Sequence, residues 1–509
     1  MSALNSSREI TLGALMSYAA VIFNISAGLI YTPWMIQKIG RADYGLFALA
    51  VSFLAYFMLD FGFGHAIARF LAKYRAEGRE ERIRELLGLT AKVFLLLDFG
   101  FLLVIVTLFF FIETVFVSLS PEEIQKFRVV YCVVGFFSIV SFPFLPLTSV
   151  LIGYERFVFL KFCDLLKKVL TIGLMVLALL AGYGLYALVT VNALVGIVII
   201  VFQCAYLFWN TSVQIDIFNF DRGLLKEIVQ YSVWVAVILF AQRLFLNITP
   251  AILGVFSGTS EIAVFSIGMT IEAYFYSFAA ALGGLFLPKV SRMMAVEDHA
   301  GISRLMIRVG RIQLLVMGSI AAGLITIGRQ FVVLWIGTSF TSSYFVALLL
   351  ILPGLITFSQ QVAYTVVAVE NKLRYHAIVL LCGAPLSIGV SAALSPRFGA
   401  IGAAIGVCLA SLLCSIAMTI VFYRVMHLDM RRFFSDCHMK MLPPFLLALG
   451  AGFVVNRWVP AVSLVAFIPK AVLLAGLCAL IMWALVMNAE EKQLARSVAR
   501  RIPGIGKVL

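Results

Sequence analysis

Apolar runs long enough to cross a bilayer recur along the whole 509-residue chain. A helix needs roughly 20 consecutive apolar residues to cross about 30 Å of hydrocarbon, and most of these runs reach that length. With 62% hydrophobic and 13% charged residues, the composition lies far outside the soluble range. The runs lack the short alternating pattern of barrel strands, so helices must satisfy the backbone inside the membrane. The sequence therefore predicts an all-α integral membrane protein.

Charges, glycines and prolines divide these runs into about fourteen transmembrane helices. The predicted spans are 10–37, 42–72, 88–113, 124–151, 159–181, 184–209, 227–257, 261–290, 305–328, 343–369, 375–395, 399–424, 440–456 and 463–488. One set of alternating loops holds 29 Lys and Arg residues and the other set holds 8. The positive-inside rule therefore predicts that both termini are cytoplasmic. An error in two adjacent spans would leave this split unchanged, so twelve spans also fit.

One phrase of the sequence occurs twice. TPWMIQKIGRADYGLFALAVSFLAYF starts at Thr32, and TPAILGVFSGTSEIAVFSIGMTIEAYF starts at Thr249. Further along, ERFVF matches KLRYH, which pairs Arg156 with Arg374, and YGLYALV matches FGAIGAA. These three pairs of stretches occur in the same order and are separated by nearly the same number of residues. They predict that a unit of six helices is duplicated. Because six is even, the two copies should have the same orientation, an arrangement found in transporters whose lobes rock about a central cavity.

The duplication predicts how the chain is divided. The predicted parts are an N-lobe over 1–209, a cytoplasmic linker over 210–226, a C-lobe over 227–425, two further helices within 426–489 and a basic cytoplasmic tail over 490–509. The net charge of +14 is explained by this topology and by anionic membrane lipids, so no nucleic-acid partner is expected. The sequence contains no P-loop, no HExxH and no CxxC, so neither catalytic residues nor a metal site are expected.

Polar side chains at membrane depth are the candidate substrate-binding groups, because a charge there costs roughly 2.5–3.5 kcal/mol unless it faces a cavity or a partner. Arg243 is the leading candidate for an anionic substrate, since a guanidinium binds phosphate in a fork, although a structural ion pair fits it equally well. Arg69 is the second candidate and shares a helix face with His65. Asn192 and Gln361 are weaker candidates for sugar binding, because such residues more commonly join helices.

Five further residues are candidates for ion pairing, ion coupling or gating. The acidic residues at membrane depth are Asp60, Asp98 and Glu272, and the prolines of the repeated phrase are Pro33 and Pro250. Depth permits a pair between Glu272 and Arg243. Each proline removes a backbone hydrogen bond and favours a bend, so both are candidate gates or simply tolerated prolines. No cofactor is expected, and coupling to Na⁺ or H⁺ is left open.

The stretch TPWMIQKIGRADYGLFALAVSFLAYFMLDFGFGHAIARFLAKY, together with SVLIGYERF, resembles the polysaccharide-biosynthesis flippases of the multidrug/oligosaccharidyl-lipid/polysaccharide exporter superfamily. The resemblance covers most of residues 10–425 and implies two six-helix lobes, as in multidrug exporters, plus two C-terminal helices. It further implies that the protein carries an undecaprenyl-diphosphate-linked oligosaccharide from the inner to the outer leaflet of the bacterial cytoplasmic membrane. A monomer that works beside polysaccharide polymerase or assembly proteins is expected.

Two other functions fit parts of the sequence. A cation-coupled multidrug exporter would share the fold, but such exporters often carry an acidic residue in the first span, where this chain has Asn24. Peptidoglycan-precursor flippases carry arginines in that span, and this chain has none between Arg8 and Lys38. A membrane glycan polymerase would be expected to have a sizeable outer loop, whereas the predicted outer loops are short. These differences favour the flippases for O-antigen, capsule or exopolysaccharide.

Overall fold

The computed structural model describes residues 23–211, 221–280, 286–489 and 491–493, and helices dominate these ranges. No strand occurs in them, which confirms the predicted all-α class. The helices are α1 (23–39), α2 (Arg41–Phe57), α3 (Phe63–Ala76), α4 (Glu80–Val115), α5 (Pro121–Ser141), α6 (Pro146–Gly153), α7 (Phe157–Leu180), α8 (Leu185–Asn210), α9 (Arg222–Leu246), α10 (Thr249–Phe256), α11 (Thr259–Ala280), α12 (Leu287–Ala295), α13 (His299–Ile336), α14 (Ser342–Ser359), α15 (Gln361–Val369), α16 (Leu373–Arg424), α17 (Met430–Phe434), α18 (Lys440–Trp458) and α19 (Leu464–Ile481). The start of the first predicted span, most of the linker and most of the basic tail lie outside the described residues.

Ten helical stretches within the described ranges are long and apolar enough to cross a membrane, so this is a multi-pass membrane protein. The longest of them, α16, has 52 residues. At a rise of 1.5 Å per residue it would be about 78 Å long, more than twice the thickness of the hydrocarbon core. Gly399 interrupts it with φ 56° and ψ −134°, so α16 consists of two helices joined at a kink. The total of about fourteen spans stays a prediction.

The second predicted span, 42–72, is broken in the middle. α2 ends at Phe57 and α3 begins at Phe63, and the turn between them holds Phe61 and Gly62 at φ 49° and 71°. A Cβ added to Gly62 would lie 2.9 Å from Cγ1 of Val235 on α9. Glycine is therefore required here both for its left-handed backbone and for the close approach of α9.

Backbone turns repeat along the chain at the offset predicted from the sequence. Residues with positive φ recur in pairs: Gly40 (84°) with Gly258 (87°), Gly78 (68°) with Glu297 (54°), and Glu155 (58°) with Asn371 (56°). The members of each pair are 216 to 219 positions apart, and each pair lies between helices of corresponding order. α7 begins at Phe157 and α16 begins at Leu373, so the structure aligns Arg156 with Lys372 rather than with Arg374.

The described residues form two compact units. The first contains α1 to α10, α11 as far as Ser266, and Leu380–Val407 of α16. Its core includes buried Phe94 and Phe142, whose ring centroids lie 5.4 Å apart. The second unit contains Ile267–Val379 and the chain from Cys408 onward, and its core is rich in Met and Phe side chains. The predicted lobe boundaries at 209 and 227 stay predictions.

A buried ion pair fixes the end of the described chain to the second unit. Arg311 on α13 donates from Nε to Oε1 of Glu491 at 2.6 Å and from Nη2 to Oε2 at 3.1 Å. Its guanidinium also donates to the backbone carbonyls of Val486 and Asp436. The two side chains are only 11% and 3% exposed, so neither charge can be solvated by water if its partner is lost.

We expect Glu491→Gln to lower the free energy of unfolding by about 3–5 kcal/mol, because it leaves the Arg311 charge buried and unpaired. Unfolding of the purified protein in detergent, followed by intrinsic fluorescence, measures this change. The matched control is Asp164→Asn, which breaks the exposed ion pair with Lys161. This substitution should lower the free energy of unfolding by at most about 1 kcal/mol. Equal effects of the two substitutions would show that the Arg311 pair is not the stabilising contact.

Candidate functional site

Three basic side chains form an exposed stripe on α3. His65, Arg69 and Lys73 follow at intervals of four residues, and all three are exposed. Side chains four residues apart lie on one helix face, about 6 Å apart along the axis. The other face packs against α4, α6 and α9. We call these three residues the basic stripe; Lys73 was missed because its sequence position assigned it to a basic loop, although the four-residue interval was the available signal.

Asp60 stabilises the break that precedes the basic stripe. Its Oδ1 accepts a hydrogen bond from the amide of Gly62 at 3.1 Å, and its Oδ2 accepts one from the amide of Gly64 at 3.2 Å. These amides belong to the start of α3 and have no partner within the helix. Among the described residues of the first unit, no cation lies within ion-pair distance of Asp60. Asp60 therefore acts as a helix cap, and its role in ion pairing or coupling stays a prediction.

α9, the helix that carries Arg243, is held at both ends. At its start, Asp221 accepts hydrogen bonds from the amide of Leu224 at 3.1 Å and from Nη1 of Arg82 at 2.9 Å. These bonds, the backbone one first, lower the pKa of the Asp221 carboxyl. At the other end the hydroxyl of Tyr56 on α2 donates to the carbonyl of Arg243 at 2.9 Å. α9 is thus fixed to α4 and to α2.

The Arg243 side chain is half-buried near the end of α9. Its Nη1 donates to Oδ1 of Asn247 one turn further along, at 3.5 Å. No carboxylate lies within ion-pair distance of the guanidinium among the described residues of the first unit. The positive charge is therefore not neutralised by its own unit. Glu272 belongs to the second unit, and its pairing with Arg243 stays a prediction.

The side-chain amides of both predicted sugar-binding residues form hydrogen bonds within the protein. Asn192 donates from Nδ2 to the carbonyl of Leu188 on its own helix at 3.4 Å. Gln361 accepts from Nε2 of Gln313 at 2.9 Å, and that nitrogen also donates to the carbonyl of Ala279 at 3.2 Å. These contacts hold helices together, and a role in sugar binding stays a prediction.

Two acidic side chains lie in the middle of membrane helices. Asp98 is on the face of α4 that also carries Phe94 and Phe101, and its Oδ1 is buried without a hydrogen-bond partner among the described residues. Glu272 is half-buried on α11. Neither has an ion-pair partner among the described residues of its own unit. Both remain candidates for ion coupling.

The two prolines of the repeated phrase lie in different local structures. α1 continues as a helix through Pro33 as far as residue 39. By contrast, α9 ends at Leu246 and α10 begins at Thr249, so Pro250 lies in the first turn of a new helix, where its missing N–H is not needed. Pro250 accompanies a helix break and Pro33 does not. Their gating roles stay predictions.

A polar cluster joins helices of both predicted lobes within the first unit. Arg41 at the start of α2 contacts Oε1 of Glu261 on α11 at 3.4 Å and donates to the carbonyl of Ser260 at 3.1 Å. The Oε2 of Glu261 accepts from the amide of Ala400, next to the kink of α16, at 2.8 Å. The Arg41 and Glu261 side chains are 30% and 31% exposed, so their ion pair is weak and can open at low cost.

The same cluster includes the turn between α10 and α11. Thr259 donates from Oγ1 to Oε1 of Glu123 at the start of α5, at 2.5 Å. A Cβ added to Gly45 of α2 would lie 2.0 Å from the carbonyl oxygen of Thr259, so only glycine permits this approach. We call Arg41, Gly45, Glu123, Thr259, Glu261 and Ala400 the terminal cluster. It lies at the end of α2 that is opposite the basic stripe.

A family comparison decides the affiliation of the chain. The family model described as "Polysaccharide biosynthesis protein" matches residues 11–294, which is more than half of the sequence. The chain belongs to this family. A comparison with curated protein sequences gives no match. The match confirms the resemblance found from the sequence.

Solved structures confirm that this family member has the fold of the exporter superfamily. A lipid II flippase MurJ in an inward closed conformation has a TM-score of 0.67 at 11% identity, over 95% of this chain and 100% of that one. An inward-facing multidrug resistance MATE family transporter of the MOP superfamily has a TM-score of 0.66 at 14% identity, over 83% and 98%. A MOP superfamily transporter from Pyrococcus furiosus has a TM-score of 0.56 at 15% identity, over 83% and 95%. These TM-scores show a common fold with two lobes.

We expect Gly45→Val to open the terminal cluster, because the added side chain must displace the backbone of Thr259. Overpacking typically destabilises the packed state, here the closed cluster, by about 1–3 kcal/mol. This corresponds to roughly a 5- to 150-fold shift of the equilibrium between the closed and open cluster toward the open one. The measurement is the rate of maleimide labelling of Thr259→Cys, whose parent side chain is buried, in a variant with the eight native cysteines replaced.

The matched control is Gly100→Val on α4, where an added Cβ meets nothing within 4 Å. The control should leave the labelling rate unchanged. An unchanged rate in the Gly45→Val protein would contradict the assignment of Gly45 to a contact that keeps the cluster closed.

Proposed function

We propose that this chain flips an undecaprenyl-diphosphate-linked oligosaccharide from the cytoplasmic to the outer leaflet of the bacterial cytoplasmic membrane. The family is one of polysaccharide biosynthesis, and a lipid II flippase shares the fold, which supports a lipid-linked substrate. The observation that carries the proposal is the basic stripe, in which His65, Arg69 and Lys73 are exposed on α3, at the end of the second predicted span. A basic side chain within a membrane span is costly unless it faces a protein partner, an anionic ligand or an aqueous path.

In this proposal, the basic stripe and Arg243 together place positive charge at several depths in the membrane. Lys73 lies near the end of α3 and provides a point charge, while the guanidinium of Arg69 can bind phosphate oxygens in a fork. At the other end of α3, Gly62 contacts Val235 of α9. Arg243 lies eight residues beyond Val235, about 12 Å further along the helix axis. A diphosphate that leaves the stripe would meet Arg243 next.

Alternating access between the two lobes would move the glycan across the membrane in this proposal. The terminal cluster is the contact that would have to open on the outer side, and its weak ion pair suits repeated opening. Both termini and the basic loops would face the cytoplasm, where they contact anionic lipids. If transport is coupled to H⁺, Asp98 is the preferred carrier, because its buried Oδ1 lacks a partner among the described residues.

A cation-coupled multidrug exporter is the second candidate, and the likeness to multidrug transporters supports it. The two functions differ in the charge of their ligands. In proteoliposomes, a flippase should transfer fluorescent undecaprenyl-diphosphate oligosaccharide to the opposite leaflet, detected by a membrane-impermeant quencher. Transport of a cationic dye without any transfer of the glycolipid would replace the flippase proposal with the exporter.

We expect Arg69→Gln and Arg243→Gln each to slow glycolipid transfer about 10- to 150-fold, because each removes charge-assisted hydrogen bonds to phosphate worth about 1.5–3 kcal/mol. The initial rate of transfer in proteoliposomes with equal amounts of inserted protein is the measurement. Arg69→Lys should retain part of the activity, since it keeps the charge but loses the fork.

The matched control is Arg84→Gln, which removes an exposed arginine near the start of α4, outside the basic stripe. Its transfer rate should remain within about twofold of the parent. Full activity in either the Arg69 or the Arg243 variant would remove that residue from the substrate path.

A further inference from the structure

An apolar crevice of about 380 Å³ opens in the first unit between α2, α4, α5 and the α9–α10 region. Eight of its sixteen lining residues are aromatic. Its floor is buried and includes Phe57 of α2, Ile112 of α4 and Tyr131 of α5. The crevice is therefore a built cavity of the unit and not a shallow depression of its surface.

The rim of the crevice consists of exposed apolar side chains. Val104, Leu108 and Val115 of α4 form one side, and Phe240 of α9 forms the other. Since both helices cross the membrane, an exposed apolar face of this kind contacts lipid. The mouth of the crevice is thus bordered by apolar side chains that suit contact with hydrocarbon.

Each hydroxyl group in the crevice wall donates a hydrogen bond to a backbone carbonyl of the protein. Ser52 donates to the carbonyl of Leu49 at 2.7 Å, Tyr56 to that of Arg243 at 2.9 Å, and Tyr131 to that of Ile105 at 3.1 Å. The remaining lining side chains are hydrocarbon or aromatic rings. Apolar cavities of this kind exclude water and take apolar ligands, so a sugar would find no hydrogen-bond partner. The fitting occupant is a hydrocarbon chain.

A positive charge lies next to this apolar wall. Arg243 is not a lining residue, but its carbonyl binds the wall residue Tyr56, and the rim residue Phe240 is one turn away on the same helix. No described carboxylate of the first unit neutralises its guanidinium. The site therefore combines a crevice that can hold a segment of a hydrocarbon chain with a nearby cation, which matches part of a lipid with a strongly anionic head.

We propose that this crevice binds a segment of the prenyl chain of the lipid diphosphate while Arg243 binds its phosphates; the inference rests on the proposed function. The crevice lies along the part of α2 after Ser52 and the part of α4 after Phe101. α4 ends in the half of the unit that contains the terminal cluster, away from the loop that follows the basic stripe. The prenyl chain would occupy it as the head group leaves the stripe, so that chain and head group move to the outer side together.

The test uses the full-length protein in nanodiscs and undecaprenyl diphosphate that carries a photoactivatable group on its chain. Peptide mapping should locate adducts at crevice residues of α4 and α10. Ala251→Phe, which fills the crevice, should lower these adducts at least fivefold, while Leu96→Phe on the lipid-facing side of α4 should not. If the Ala251 variant does not fold, Leu108→Trp at the rim serves the same purpose. Adducts that persist in the filled variant would overturn the proposal.

Two comparisons separate this site from a general lipid contact. Arg243→Gln should lower labelling by the diphosphate probe and leave labelling by a matching uncharged prenol probe unchanged. Equal labelling by a photoactivatable phospholipid, unaffected by Arg243→Gln, would show an annular lipid site and overturn the proposal. Parent protein that transfers glycolipid without crevice adducts would reject this inference alone, whereas adducts without transfer would reject the proposed function alone.

Discussion

The requirement that every backbone polar group find a partner inside hydrocarbon governs this structure. It produces long helices, and it makes each interruption of a helix costly unless a side chain replaces the lost bonds. Asp60 binds the amides freed between α2 and α3, and Glu261 binds the amide of Ala400 beside the kink of α16. The interruptions therefore explain why Asp60 and Glu261 lie near or within the membrane helices. Each carboxylate accepts hydrogen bonds from backbone amides that have no helical partner where a helix is interrupted.

The broken helices also position the basic side chains of the proposed substrate path. Because α3 starts afresh after Gly62, it can turn His65, Arg69 and Lys73 outward while its other face remains packed on α6. The close contact between Gly62 and Val235 of α9 then ties the position of this stripe to the helix that carries Arg243. A substitution at Gly62 would consequently disturb both cationic elements at once, although neither contains it.

Sequence reasoning predicted the all-α membrane class from composition, the duplicated helices from repeated motifs and the family from its resemblance to known sequences. It missed features that depend on local backbone geometry. The break at Phe61 and Gly62 lies inside a continuous apolar run, and the pairing of Arg156 with Lys372 needs the helix starts rather than letter matches. The crevice could not be predicted, because its wall combines residues from Ser52 to Ala251 that only tertiary packing brings together. The depth of Arg243 stays a prediction from its sequence position, whereas the lack of a described carboxylate partner within its own unit becomes visible only in the structure.

An amphipathic substrate poses a physical problem that a single cavity cannot solve. A diphosphate head needs cations and water, whereas its prenyl chain loses free energy whenever it leaves hydrocarbon. The first unit separates these needs: the basic stripe is exposed and hydrophilic, and the crevice has an apolar wall with exposed apolar side chains at its rim. Tyr56 connects the two environments, because its ring lines the crevice and its hydroxyl binds the backbone of Arg243. Under the proposed function, a head group bound at Arg243 would therefore remain attached to a chain whose nearest segment stays in an apolar environment.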